Sequence, residues 1–401
     1  MKENKARLYL IFTYILILAG SVVDLGTGYF TEFLNYSALT PGVLFRGGVV
    51  LPVFLLWCLK SKSSSLIPLY LGMLCVLSAV FLGLSAGLQT SLISKISGLL
   101  KVVYPYLGLG GLIYIHKYKR YFHTNEIWTL GYYYGVIVII GIIFFTYVGL
   151  GIQSYSHQLY TSSGLYGAAN DTGLILLIAF CFFLYYNISF QSFKVSKLIV
   201  ISLLFLFSAF LINTKALFIG IPVSFIVIMG YSIFAKEVKS ASFKAGIFLI
   251  TALFIGAVWY IVQYLQDLGL TYTLSRITEL ASGNFGFRNY AFGIEQIQNF
   301  SLTEHLFGSQ RNFLIIESDL IDIYGKFGML FCLTAFGIPL FFLWKIFKHF
   351  LIKRSLQDLV LVIGLSFYLL HGVIAGHALV SAQVNNIIIL VYFLIWLRLK
   401  R

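Results

Sequence analysis

The chain has 401 residues, of which 59% are hydrophobic and 10% charged, and its mean hydropathy is +0.91. That composition excludes a soluble core and specifies an all-α polytopic membrane protein. The formal net charge of +14 would point to nucleic acid in a soluble chain, but all but eight of the 28 lysines and arginines fall in connections that can share one side of the membrane. The positive-inside rule accounts for that excess, and no nucleic-acid partner is expected.

About 17–22 apolar residues cover the hydrocarbon core. Twelve segments qualify, at about 8–23, 41–59, 66–86, 97–115, 128–150, 168–189, 198–213, 216–235, 245–264, 327–345, 357–372 and 383–398. Lys2, Lys5 and Arg7 precede the first, and no small-residue cleavage pattern precedes Asp24, so it reads as a retained span that starts inside. Both termini are then cytoplasmic. Cys58, Cys75, Cys181 and Cys332 lie in apolar runs without metal or redox spacing, which predicts small core residues. With no Pro/Gly/Ser linker and no internal repeat, residues 1–401 are expected to form a single membrane domain.

Residues 265–327 break this pattern. They carry seven of the 14 acids (Asp267, Glu279, Glu295, Glu304, Glu317, Asp319 and Asp322) and form a large extracytoplasmic loop between spans. Gly283-Asn284-Phe285-Gly286 reads as a turn, followed by a short amphipathic helix through Phe287, Tyr290, Ala291, Ile294 and Ile297 with Arg288 in its first turn. A second helix is predicted from about Phe313 to Tyr324, with Asp319, Asp322 and Lys326 on one side.

Eight cations escape the inside rule: Arg46, Lys95, Lys101, Lys215, Arg276, Arg288, Arg311 and Lys326. Lys95 and Lys326 read as snorkelling or loop charges. Arg46, Lys101 and Lys215 lie within or at spans, where a cation is costly and usually faces an interior cavity or an anionic partner.

Phosphate-loop, dinucleotide and DxD motifs are absent, and the seven histidines never pair at i, i+4, so no nucleotide, metal or other cofactor is expected. Cations and carboxylates gathered on one face suit a lipid diphosphate and a sugar. Fixed cations neutralise a leaving diphosphate without metal, and a carboxylate or imidazole takes the proton of the attacking hydroxyl. Arg288, Arg311, Lys215 and Lys101 are candidates for the first role, and Glu317, Asp319 and His377 for the second. Plainer readings stand beside these: an Asp322–Lys326 helix pair, a backbone-bonded interfacial His377, an Arg288 that anchors its helix to anionic lipid, and a structural His371. Most aromatics read as lipid-facing anchors, with Tyr155, Tyr160 and Tyr166 as candidate sugar-stacking rings.

Four elements resemble the bacterial O-antigen and capsule repeat-unit polymerases, which share a superfamily with the O-antigen ligases. They are Gly164 to Asn170-Asp171 before a span, Leu211-Ile-Asn-Thr214-Lys215-Ala216, the run Gly286-Phe-Arg288 through His305-Leu-Phe-Gly308 to Glu317-Ser-Asp319 and Gly325-Lys-Phe-Gly328, and Gly376-His377. Lys215 stands where relatives more often carry Arg, and Glu317-Ser-Asp319 where many have His. The resemblance implies a GT-C-like membrane glycosyltransferase of the bacterial cytoplasmic membrane, without metal, acting on undecaprenyl-diphosphate-linked oligosaccharide. Asn170, Asp171 and Tyr166 would contact substrate. Membrane lipid, a chain-length regulator and a flippase are the expected partners, and the alternatives are a surface-polymer ligase with the same donor or a polysaccharide transporter.

Overall fold

The computed structural model describes residues 2–35, 40–60, 92–119, 124–154, 161–189, 195–235, 290–309, 318–374 and 376–400, with isolated positions between 244 and 263. Among these, regular structure is helical apart from one isolated bridge, Gln153 to Ser162. The helices are α1 (Lys2–Glu32), α2 (Pro41–Lys60, with a π turn at Arg46–Val50), α3 (Leu92–Lys119), α4 (Thr124–Tyr147), α5 (Ala169–Ser189) and α6 (Val195–Ile212). They continue as α7 (Lys215–Phe234), α8 (Tyr290–Gln298), α9 (Leu302–Phe307), α10 (Asp319–Lys353), α11 (Leu356–Ile374) and α12 (Ala382–Leu399).

Among the described residues, eight helices are long and apolar enough to cross a membrane: α1 from Ile11, α2, α4, α5, α7, α10, α11 and α12. The chain is therefore an all-α multi-pass membrane protein. The expected spans 97–115 and 198–213 coincide with α3 and α6. The expected span 66–86 lies outside the described residues, as does most of 245–264.

Two helices form the centre. α5 touches α4, α6, α7, α11 and α12, while α12 touches α1, α3, α4, α5, α10 and α11. Their apolar windows are 89% and 72% buried, against 28% for α2, because other helices pack against them on several sides. Small residues let the backbones close. Gly131 and Gly135 on α4 leave room for Phe182 and Ala179 of α5, the GxxxG geometry of membrane helix pairs. Cys58, Cys181 and Cys332 are buried within this packing, as expected, and Cys75 lies outside the described residues.

Two boundaries differ from the sequence expectation. The first helix does not stop before Asp24 but runs through it to Glu32, because Arg46 pairs with the Asp24 carboxylate and removes the isolated charge that would have ended a span. At the far end of the loop, α10 starts at Asp319 and continues into the next span across a break at Gly328, which has φ 80°. The reason is a reciprocal backbone contact: a side chain on Gly308 (φ 90°) would strike the Lys326 carbonyl, and one on Gly328 the Leu306 carbonyl. Ser309 N–H donates to Gly325 O at 2.7 Å across the same contact. Gly328→Ala is expected to destabilise the fold by about 1–3 kcal/mol of backbone strain, before any clash. Unfolding in detergent measures this, and a variant as stable as the native chain contradicts it.

At the opposite end of the bundle, Asp358 of α11 is fully buried and joins three helices. Arg398 of α12 donates to it through Nε at 2.7 Å and Nη2 at 3.0 Å, and His349 Nδ1 of α10 lies 2.8 Å from the same carboxylate.

Candidate functional site

The residues singled out from sequence gather where α1, α2, α3, α5, α7, α10 and α12 share one end of the bundle. Two connections build the first wall. Gly164 takes φ 64°, and a side chain there would come within 2.7 Å of Ile142 Cα and 2.9 Å of Gly141 O on α4. Its neighbour Ser162 donates its N–H to Leu211 O at 2.7 Å, at the α6–α7 corner. Asn213 turns that corner at φ 56°, the left-handed region that Asn tolerates. Thr214 then seats its hydroxyl against Gly173 of α5, where a Cβ would lie 2.7 Å away. The elements around Gly164 and Thr214, far apart in the chain, thus meet. Lys215 begins α7 at this junction, and only its backbone is described.

The second wall is the turn between α11 and α12. His377 has φ 65° and is half-buried. Asp319, 0% exposed at the start of α10, holds this turn: its Oδ2 accepts the Leu379 N–H at 2.7 Å, and the His377 N–H also faces the carboxylate. Gly372 allows the approach, since a Cβ there would lie 3.1 Å from Asp319 Oδ2. Next door, Ser318 Oγ donates to Val373 O at 2.9 Å, and Gly376 N–H closes on His371 O at 3.1 Å. Among the described residues Asp319 Oδ1 has no hydrogen-bond partner. The neighbouring α9–α10 junction adds His305, whose Nδ1 lies 2.8 Å from Tyr324 OH.

Between the walls runs a polar interior. Asp171, buried at the first turn of α5, faces the Ser381 hydroxyl and lies within electrostatic reach of Lys101 and Asp319. Ser381 in turn caps α12 by accepting Val384 N–H at 3.3 Å. Asn385 ties α3 to the α11–α12 turn. Its Nδ2 donates to Lys101 O at 2.8 Å and Leu379 O at 3.1 Å, while its Oδ1 accepts Tyr368 OH at 3.0 Å. Asn386 Oδ1 accepts Tyr104 OH at 2.7 Å, on the side where Asp24 and Arg46 pair. Lys101 itself is exposed although it sits in α3.

Lys101, Asp171, Asp319 and the His377 turn therefore share one end of the fold, and Asn170, half-buried, begins the same helix as Asp171. Tyr166 does not serve as a stacking platform: it is 1% exposed, packed where Gly141 leaves space, and burial pushes its phenol well above the usual range. Arg288, Arg311, Glu317, Tyr155 and Tyr160 lie outside the described residues. Asp24, Ser381, Asn385 and Asn386 were not singled out from sequence. An Asn-Asn pair inside an apolar run was the available sign, because such amides in a span need partners.

Comparison with protein-family models, characterised proteins and solved structures returns no match, so this geometry carries the functional reading.

Proposed function

We propose that the protein is a repeat-unit polymerase: a GT-C-like glycosyltransferase of the bacterial cytoplasmic membrane, with about twelve spans and both termini inside. The observation that carries this reading is the convergence of Lys101, Asp171, Asp319 and the His377 turn at one end of a membrane bundle. Intramembrane ionisable groups gathered in this way mark functional interiors.

In the proposed reaction, a growing chain on undecaprenyl diphosphate meets a single lipid-linked repeat unit on the outer face. A hydroxyl of the repeat unit attacks the anomeric carbon, the bond to the diphosphate breaks, and undecaprenyl diphosphate leaves. Arg288, Arg311, Lys215 and Lys101 hold the diphosphate charge. Asp171 and Asn170 meet sugar hydroxyls. Of the proton acceptors Glu317, Asp319 and His377, we assign the role to His377 over Asp319. Its side chain is half-buried, whereas the Asp319 carboxylate is enclosed and engaged by the backbone. No nucleotide or metal is needed, because the donor arrives activated.

Arg288→Ala in the native host, with lipid-linked glycans separated by length, tests the reading. Loss of long chains with single repeat units still transferred downstream is expected. Unchanged long chains with normal protein levels refute the role of Arg288. Long chains stranded on the carrier identify the ligase reading, and repeat units confined to the cytoplasmic side identify the transporter.

A further inference from the structure

The Asp24–Arg46 pair belongs to none of the roles above. Asp24 is 1% exposed and the Arg46 side chain 12%, in a cluster drawn from five helices. Tyr104 of α3, Tyr134 of α4, and Gln383 and Asn386 of α12 surround it. A buried ion pair contributes little to stability compared with apolar packing, and a charge inside a membrane normally has a task. The pair is also incompletely satisfied. Arg46 Nε and Asn386 Nδ2 are buried donors without acceptors among the described residues, and Asp24 Oδ2 is an acceptor without a donor.

Arg46 opens the π turn of α2, followed by Gly47 and Gly48, and π turns are sites where a helix can re-aim a side chain. A second cation, Lys101, lies within electrostatic reach of Arg46. Two cations with unspent donors, Arg46 Nε and the neighbouring Asn386 Nδ2, make a cradle for an oxyanion with several acceptor oxygens. Asp24 occupies the position such an anion would take.

We propose that Arg46, with the exposed Lys101 at its edge, forms a binding site for a diphosphate anion, with Asp24 as the counter-charge that Arg46 exchanges for it. This rests on the lipid-diphosphate reading for the choice of ligand. A polymerase handles two lipid diphosphates at once, that of the growing chain and that of the incoming unit, so Arg46 adds a cation to those assigned above and shares Lys101 with them.

The test uses the full-length protein in nanodiscs and titrates undecaprenyl diphosphate and, separately, inorganic pyrophosphate. Asp24→Asn is expected to tighten undecaprenyl diphosphate binding about tenfold by removing the competing carboxylate. Arg46→Gln and the uncharged double variant Asp24→Asn/Arg46→Gln are expected to weaken it at least about tenfold. The double variant leaves no lone buried charge, and its thermal midpoint reports whether it folds. Pyrophosphate binding of equal strength that is lost in Arg46→Gln keeps the anion site and assigns it to the soluble ion. A folded double variant that binds like the native protein overturns the site and makes the pair a structural tie. The polymerase reading is judged separately, by glycan length in Arg288→Ala.

Discussion

His377→Asn is expected to lower repeat-unit joining by about 10²–10⁴-fold, the span of a lost general base, with the protein still folded. Asn suits the test because His377 sits at φ 65°, a conformation that Asn adopts readily and Ala resists. Asp319→Asn provides the complementary measurement. An amide oxygen still accepts the Leu379 N–H that the carboxylate now takes at 2.7 Å, but an amide cannot take a proton. Joining within about tenfold of the native rate is therefore expected for Asp319→Asn, from one weakened charge-assisted hydrogen bond, and a much larger loss for Asp319→Ala. Single-turnover assays with lipid-linked repeat units decide the matter. If a folded Asp319→Asn protein loses activity as completely as His377→Asn, Asp319 is the proton acceptor and its hold on the turn is secondary.

Asp358→Ala is expected to cost about 3–5 kcal/mol of stability, because it breaks an ion pair whose carboxylate is fully buried and whose cation is largely enclosed. Arg398 approaches the carboxylate with Nε and Nη2 as a two-pronged donor, and His349 approaches from a third helix. Without Asp358 the guanidinium, 19% exposed, keeps its charge and loses these two hydrogen bonds. Unfolding in mixed micelles measures the loss, and joining activity of the surviving folded fraction should stay near normal because this cluster lies at the end of the bundle away from His377. A change below about 1 kcal/mol, the level of an exposed pair, contradicts the assignment.

These expectations show which parts of the molecule hydropathy and charge made legible. Apolar runs marked the helices closely: α5 was expected at 168–189 and spans Ala169–Ser189, and α12 was expected at 383–398 and spans Ala382–Leu399. Lys101 stood out because a cation within a span is costly, Asp319 and His377 as a carboxylate and an imidazole on the outer face, and Asp171 through the family resemblance. The short amphipathic helix after residue 286 was expected from its periodicity and is present as Tyr290–Gln298. The helix Leu302–Phe307 was overlooked, although Ser301 and Glu304 form a capping box that the spacing Ser-x-x-Glu announces.

Other features had no local sign. Asp24 looked like the end of a span because a lone carboxylate cannot enter hydrocarbon, and its partner lies 22 residues away on another helix. Tyr166 looked like a sugar platform because aromatic composition does not say which rings the connection folds inward. The roles of Asp319 and Asn385 depend on backbone groups up to 284 residues distant, and no pattern along one segment encodes such a pairing. The membrane class, most of the helices and the scarce interior charges thus follow from the chain alone, since burial in lipid constrains each residue by its own transfer cost. Which charge neutralises which, and which carboxylate holds the His377 turn, follow from the packing of helices against one another, because those energies belong to pairs of groups that only the folded bundle brings together.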